Sequence, residues 1–309
     1  DLNLPIFRQP FLHIVCDNDT VKMAAAFGKP PSESNFRDFN MELVNIKPNR
    51  AEYPIHYLYE DILLPERLLN YLESYLYPGK GNSWMFPRYH QQRATRKVVD
   101  DIKKQIAETG KLNLNYLIQH STGSGKSSTI VWMVQNLRNA FNGDDSIFDS
   151  IVVLTDRINL DDQISKDFQS AILTPGVAEY AEDTADLKKA LEDNKKVIIS
   201  TIHKFSHLKE LSDQTNKRIC VLIDEAHRSQ EGKLHGGLTD TFQTDEKGVE
   251  ITPEDEQDEF IEEISRKEFP NMAFIALTAT PSDKTLEHFG IPKKDEKGEL
   301  ILNKQGNKT

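Results

Sequence analysis

Apolar positions follow two different periods along this chain. From 88 to 110, "RYHQQRATRKVVDDIKKQIAETG" spaces them for one face of a helix and ends at Gly110, which predicts a long amphipathic helix. "PERLLNYLESYLY" (65–77) has similar spacing behind Pro65, a residue suited to a first helical turn, and "PGKGNSW" breaks it. Five other stretches are short and almost continuously apolar: "LNYLIQH", "SIVVLTD", "KKVIIST", "RICVLIDE" and "MAFIALTAT". Helical segments at 126–140, 159–170 and 184–192 separate the earlier ones. Strands without polar alternation, joined by helices, predict an α/β fold with a parallel sheet covered on both faces. Such sheets bind ligands in the loops at the carboxyl ends of their strands. Four of the five runs end in polar residues suited to that. Nearer the N-terminus, "PFLHIVCDND" reads as a strand entering a turn and "GKPPSESN" (28–35) as a loop. The segment "PKKDEKGELILNKQGNKT" (292–309) reads as a polar tail or linker, with room for a short hairpin around "GELIL". No internal repeat is evident.

Composition narrows this picture. A chain of 309 residues holds one large domain or two modest ones, and 38% hydrophobic with 28% charged residues suits a soluble globular protein. No apolar run approaches the ~20 residues of a membrane span, so no membrane partner is expected. The sequence lacks an initiator Met and a signal-peptide pattern, which reads as a piece starting mid-protein. Of two cysteines, Cys220 lies inside "RICVLIDEAH", where a buried reduced thiol is expected; the pair argues against a disulfide scaffold or zinc site and fits a cytoplasmic location. The net charge of −11 argues against coating nucleic acid by bulk electrostatics but leaves room for a local DNA track. Much of the acid sits in "TDEKGVEITPEDEQDEFIEE" (244–263), read as a solvated loop.

Candidate chemistry gathers at the strand ends. In "NYLIQHSTGSGKSSTIVWMV" (115–134), Leu114–Gln119 is the strand, 120–125 the turn and Lys126 onward the helix. The small residues Thr122, Gly123, Ser124 and Gly125 would aim backbone N–H groups at an anion, at the positive end of a helix dipole. Lys126 would reach the β- and γ-phosphates and the Ser127 hydroxyl would ligate Mg²⁺, with Ser128 beside it. The G-x-x-x-x-G-K-[ST] pattern is broken only at its first glycine, where His120 stands. The plain alternative is a strand-to-helix turn that happens to hold Gly and Lys. In "VLIDEAHRSQ" (221–230) a buried strand ends in Asp224 and Glu225: an acid to hold Mg²⁺ and a base to orient water. Helix N-capping by Asp224 is the alternative. In "FIALTATP" (274–281), Thr278 and Thr280 can relay the phosphate state by hydrogen bonds, or can simply be a strand end stopped by Pro281.

"TGSGKS", "DEAH" and "LTATP", in that order, resemble motifs I, II and III of superfamily-2 helicases and translocases. Taken together, "RYHQQRA", "STGSGKS", "VLTDRINLDDQ", "STIHKF" and "IDEAHRSQEG" resemble the motor (R) subunit of type I restriction enzymes, closely over about 80–290. The resemblance implies a RecA-like P-loop lobe that uses ATP and Mg²⁺ to translocate double-stranded DNA, working with methylation and specificity subunits. It assigns Gln91 to the adenine edge, Thr155 and Arg157 to one DNA-backbone motif, and Thr201 and His203 to the next. His227 would link hydrolysis to motif III. Gln91 can instead be an exposed polar residue at a helix start, Thr155, Arg157, Thr201 and His203 strand-end or capping residues, and His227 a satisfied structural histidine. The implied organisation is a trailing part of a nuclease region and linker helix at 1–80, a first motor lobe at 81–290, and a tail or linker at 291–309. Some thirty residues follow Thr280, too few for the second lobe that such motors need. "ELVNIK" (42–47) has Asn45 where a nuclease E-x-K would need an acid, so no nuclease catalysis is assigned to it. Rival readings are another superfamily-2 motor, such as an RNA helicase or chromatin-type remodeller, and a nucleotide-binding module with vestigial turnover.

Overall fold

A computed structural model gives the fold and describes residues 11–28, 30–39, 54–79, 83–155, 178–181, 183–201, 217–224, 269–281, 285–286 and 289. The expected helix at 159–170, the acidic stretch 244–263, "ELVNIK" and the tail 292–309 lie outside these residues.

The chain opens with β1 (Leu12–Cys16), β2 (Val21–Ala25) and β3 (Arg37–Asp38), an antiparallel sheet in that order. The turn between the first two is made by Asp17, whose Oδ1 accepts the N–H groups of Asp19 and Thr20 at 2.8 and 2.6 Å. Helix α1 (Pro65–Asn70) starts with Pro65 in its first turn, as expected. It does not continue to 77. A π-helical turn covers Tyr71–Tyr75, closed by Leu76 N–H to Tyr71 O at 3.1 Å. Tyr71, Ser74 and Tyr75, at i, i+3 and i+4, face inward together. The chain then enters β4 (Tyr77–Pro78), paired antiparallel with β5 (Trp84–Met85).

Helix α2 (Tyr89–Thr109) buries Val99, Ile102 and Ile106 at i, i+3 and i+7 spacing. It ends at Gly110, whose φ of 69° closes the helix in the left-handed conformation that glycine adopts without cost. Next come β6 (Leu114–Gln119), α3 (Lys126–Arg138), a small hairpin of β7 (Phe141–Asn142) and β8 (Asp145–Ser146), then β9 (Ser150–Thr155). Beyond them lie β10 (Ala178–Tyr180), α4 (Thr184–Glu192), β11 (Val197–Thr201), β12 (Ile219–Asp224) and β13 (Met272–Thr278). Asp183 caps α4, accepting Asp186 N–H at 2.8 Å. Strands β6 and β9–β13 form one parallel sheet in the order β10-β11-β9-β12-β13-β6.

The sheet explains why its strands read as unbroken apolar runs. Ile151, Val153, Cys220, Leu222, Ala273 and Ile275 join one buried cluster with α2 and α3. Their neighbours Val152, Leu154, Val221, Ile223, Phe274 and Ala276 join a second cluster with Leu187 and Leu191 of α4. Successive side chains point to opposite faces, and both faces are covered. Cys220 is fully buried, which pushes its thiol well above the usual range; it and exposed Cys16 are both reduced.

Apolar packing is continuous across the expected boundary at 80/81. Trp132 of α3 stacks at a tilt on Tyr77, with ring centroids 5.9 Å apart, and donates from Nε1 to Tyr75 O at 3.0 Å. No described helix is long and apolar enough to cross a membrane.

Candidate nucleotide site

Strand β6 delivers the glycine-rich turn to the carboxyl edge of the sheet. His120 N–H donates to Thr278 O at 2.8 Å, tying the start of the turn to the end of β13. Gly123 and Gly125 have φ of 77° and 88°, values that a side chain would strain. Gly125 is the N-cap of α3 and has no side chain to satisfy the helix's first amides. Those N–H groups and the helix dipole are the physical basis of an anion site. Thr129 anchors the turn from the next helical turn, donating from both N–H and Oγ1 to Gly125 O at 3.0 and 3.1 Å. Lys126, Ser127 and Ser128 are half-buried along the start of α3; Thr122 and Gly123 are exposed.

Gln91 is buried rather than exposed, and its amide is engaged within the chain. Its Nε2 donates to Ser124 O at 3.2 Å and Gly125 O at 3.0 Å, while its Oε1 accepts Arg88 N–H at 2.8 Å. The amide therefore braces the turn. Two histidines also meet Ser124: His90 Nε2 lies 3.3 Å from its carbonyl oxygen and His120 Nδ1 3.3 Å from its hydroxyl. Burial is the main cause that lowers the His120 pKa, with His90 and Lys126 adding to it. The residue that breaks the glycine pattern is thus a buried, neutral support of the turn.

Asp224 is the last residue of β12 and is only 2% exposed. It lies opposite Leu277 of β13, and Thr278 lies opposite Gln119 of β6. One strand therefore separates the aspartate from the glycine turn, and both leave the same edge. With strands ~4.8 Å apart, the two backbones are about 10 Å apart, a gap that a lysine, a carboxylate and a triphosphate can bridge. Thr278 is fully buried between them, whereas Thr280 is exposed beyond the strand end.

Thr155 and Thr201 sit opposite each other at the ends of β9 and β11, on the same edge. Thr155 has no exposed surface, so its hydroxyl cannot meet a phosphate without rearrangement. Glu225, His227, Arg157 and His203 lie outside the described residues.

A cleft of about 220 Å³ opens beside the turn, lined by Gly123–Gly125, Gln91, Arg88, Trp84 and Arg37 among others. The sequence reading missed Trp84, Arg88 and Arg37. An aromatic and a cation just before the α2 start were a usable signal for the first two. Nothing local marks Arg37, which arrives from the antiparallel sheet. A larger cleft of about 410 Å³ lies between residues 56–61 and α2, and none of the expected site residues line it. Its central carboxylate, Asp61, is already paired with Arg67 and Arg96.

A parallel sheet with a glycine turn on one strand and a buried aspartate two strands away defines the RecA-like α/β class. The chain belongs to the SWI2/SNF2 ATPase family, which it matches over residues 90–294. It is 30% identical over 237 residues to a Methanocaldococcus jannaschii protein named for the type I restriction enzyme MjaIXP endonuclease subunit, covering 72% of this chain and 19% of that one. It is 29% identical over 240 residues to the Haemophilus influenzae type I restriction enzyme HindI endonuclease subunit, covering 72% and 20%. A Staphylococcus aureus type I restriction enzyme endonuclease subunit is 33% identical over 145 residues, covering 44% and 14%. The chain spans a fifth or less of the length of these three relatives.

Proposed function

We propose that this chain is the first motor lobe, with flanking segments, of a type I restriction enzyme R subunit: an ATP-driven translocase of double-stranded DNA that works with methylation and specificity subunits. The observation that carries the reading is the exit of the glycine turn and Asp224 from one edge of the sheet, with a single strand between them. Membership of an ATPase family and relatives named as restriction subunits support it.

In this reading the turn amides of 122–125 and the N-terminus of α3 cradle the phosphates, and Lys126 offsets their charge. Asp224 and the Ser127 hydroxyl are hard oxygen donors, and one carboxylate with one hydroxyl fits Mg²⁺, which takes its remaining ligands from phosphates and water. When bound, the ion would offset charge developing on the β- and γ-phosphate oxygens. Glu225 would orient and deprotonate the attacking water. His227, Thr278 and Thr280 would couple the phosphate state to the strand ends. Thr155, Arg157, Thr201 and His203 would hold the DNA backbone, with buried Thr155 shaping the strand end rather than touching a phosphate. The domain reading of 1–80, 81–290 and 291–309 goes with this assignment. A second lobe would supply an arginine, which in related nucleotidases contributes about 10³–10⁵-fold. This chain alone should therefore hydrolyse ATP slowly.

The test is ATP turnover with and without nucleic acid. Stimulation by duplex DNA is expected. Stimulation by single-stranded RNA instead would favour an RNA motor. Turnover by Glu225→Gln equal to the parent's would favour a binding module.

A further inference from the structure

The cleft beside the glycine turn has a wall that no nucleotide motif contains. Neither Lys126, Ser127 nor Asp224 lines it, whereas Gly123–Gly125 and Ser128 do. The cleft thus adjoins the turn on a side that those three residues do not line. A triphosphate seated on the turn, as the proposed function requires, extends its sugar and base into that cleft.

Gln91 cannot recognise that end alone. Both hydrogens of its amide are directed to the carbonyls of Ser124 and Gly125, and its oxygen already accepts Arg88 N–H. Other groups are needed, and the cleft supplies them. Trp84 is half-buried and offers an aromatic surface. The cleft is also lined by Arg37, an exposed residue on β3 of the antiparallel sheet, and by Asn35. Arg37 Nη1 donates to Ser34 O at 2.9 Å, which points the guanidinium back along its own loop and uses one of its five donors. A planar guanidinium with donors to spare can stack on a base and bond sugar hydroxyls at once, which an ammonium cannot.

We propose that Arg37 is a nucleotide-contacting residue contributed by the antiparallel sheet, gripping the nucleoside end of the bound triphosphate. The nucleotide then bridges two parts of the chain: phosphates on the glycine turn, base and sugar against β3. Occupancy would hold the antiparallel sheet against the parallel one.

The experiment is equilibrium binding to the full chain by competition with a fluorescent ATP analogue, using ATP and inorganic tripolyphosphate as competitors. Arg37→Ala is expected to weaken ATP about tenfold, the scale of one cation–aromatic contact with a hydrogen bond, and to leave tripolyphosphate unchanged. Arg37→Lys should recover only part of the loss. Lys126→Ala should weaken both ligands. Unchanged ATP affinity in Arg37→Ala overturns the proposal while leaving the nucleotide site intact. So does equal weakening of ATP and tripolyphosphate, which would mean a distorted turn. If the parent chain binds neither ligand, the nucleotide reading itself falls, and this contact with it.

Discussion

Gln91 Nε2 lies 3.0 Å from the carbonyl oxygen of Gly125, a contact between residues 34 apart that only glycine permits. A Cβ at position 125 would stand 2.6 Å from that nitrogen. The brace and the glycine are therefore one device, and the φ of 88° at Gly125 adds a second reason for the residue.

Gly125→Ala should displace Gln91 and strain the backbone. We expect a loss of about 1–3 kcal/mol in stability and a clear loss of ATP affinity, read by urea unfolding and nucleotide titration. Gly123→Ala meets no atom within 4 Å, so its cost is φ strain alone, about 1–2 kcal/mol. If the two variants behave alike, the brace has no energetic role.

At position 91 the amide's donors matter more than its size. Gln91→Ala leaves two carbonyls without this donor, and a lost buried hydrogen bond costs about 1–3 kcal/mol. Gln91→Glu loses the same donors and adds negative charge beside the proposed phosphate site. It should bind ATP more weakly than Gln91→Ala does, by the same titration. The reverse order would show that the amide acts on the ligand and not through the turn.

His120 gives the fold a pH dependence of known sign. Its folded-state pKa lies below the ordinary 6.5, chiefly because burial disfavours the cation. The unfolded chain therefore binds more protons as pH falls through 6.5, and stability drops with it until the lower folded value is passed. Replacing His120 with Gln should flatten the fall in unfolding free energy between neutral pH and pH 5. An identical slope in parent and variant would remove His120 as its source.

Asp224 and the next residue in the sequence, Glu225, should separate by function. Asp224→Asn should weaken Mg²⁺-dependent ATP binding as well as hydrolysis. Glu225→Gln should keep affinity and lose at least about 100-fold in turnover, the scale of a missing general base. Parallel measurements of binding and rate distinguish them; equal binding defects would leave Glu225 without a separate role.

Of the six parallel strands, β9, β11, β12 and β13 were legible because burial on both faces leaves them mostly apolar, and β6, an edge strand with exposed Asn115 and Gln119, was legible from its shorter apolar run before the glycine turn. The sixth, β10, is three residues at the sheet edge and carries no such signature. The change from α- to π-helical turn after Asn70 left no mark in the sequence, because Tyr71, Ser74 and Tyr75 have the i, i+3, i+4 spacing of an ordinary helix. At the site, the glycine turn and Asp224 are local features of strand ends and could be read directly. The brace by Gln91, the burial of Thr155 and the approach of Arg37 depend on contacts between distant segments. A one-dimensional pattern does not record them.

The seam between α3 and the segment before residue 80 has a practical consequence. Trp132 is roofed by Tyr75 and Tyr77, so a protein trimmed to begin at residue 81 would bare an indole and the apolar floor around it. Such a truncation should aggregate on expression, whatever its sequence motifs promise. Dissection of this chain into portable pieces has to leave the tyrosines attached.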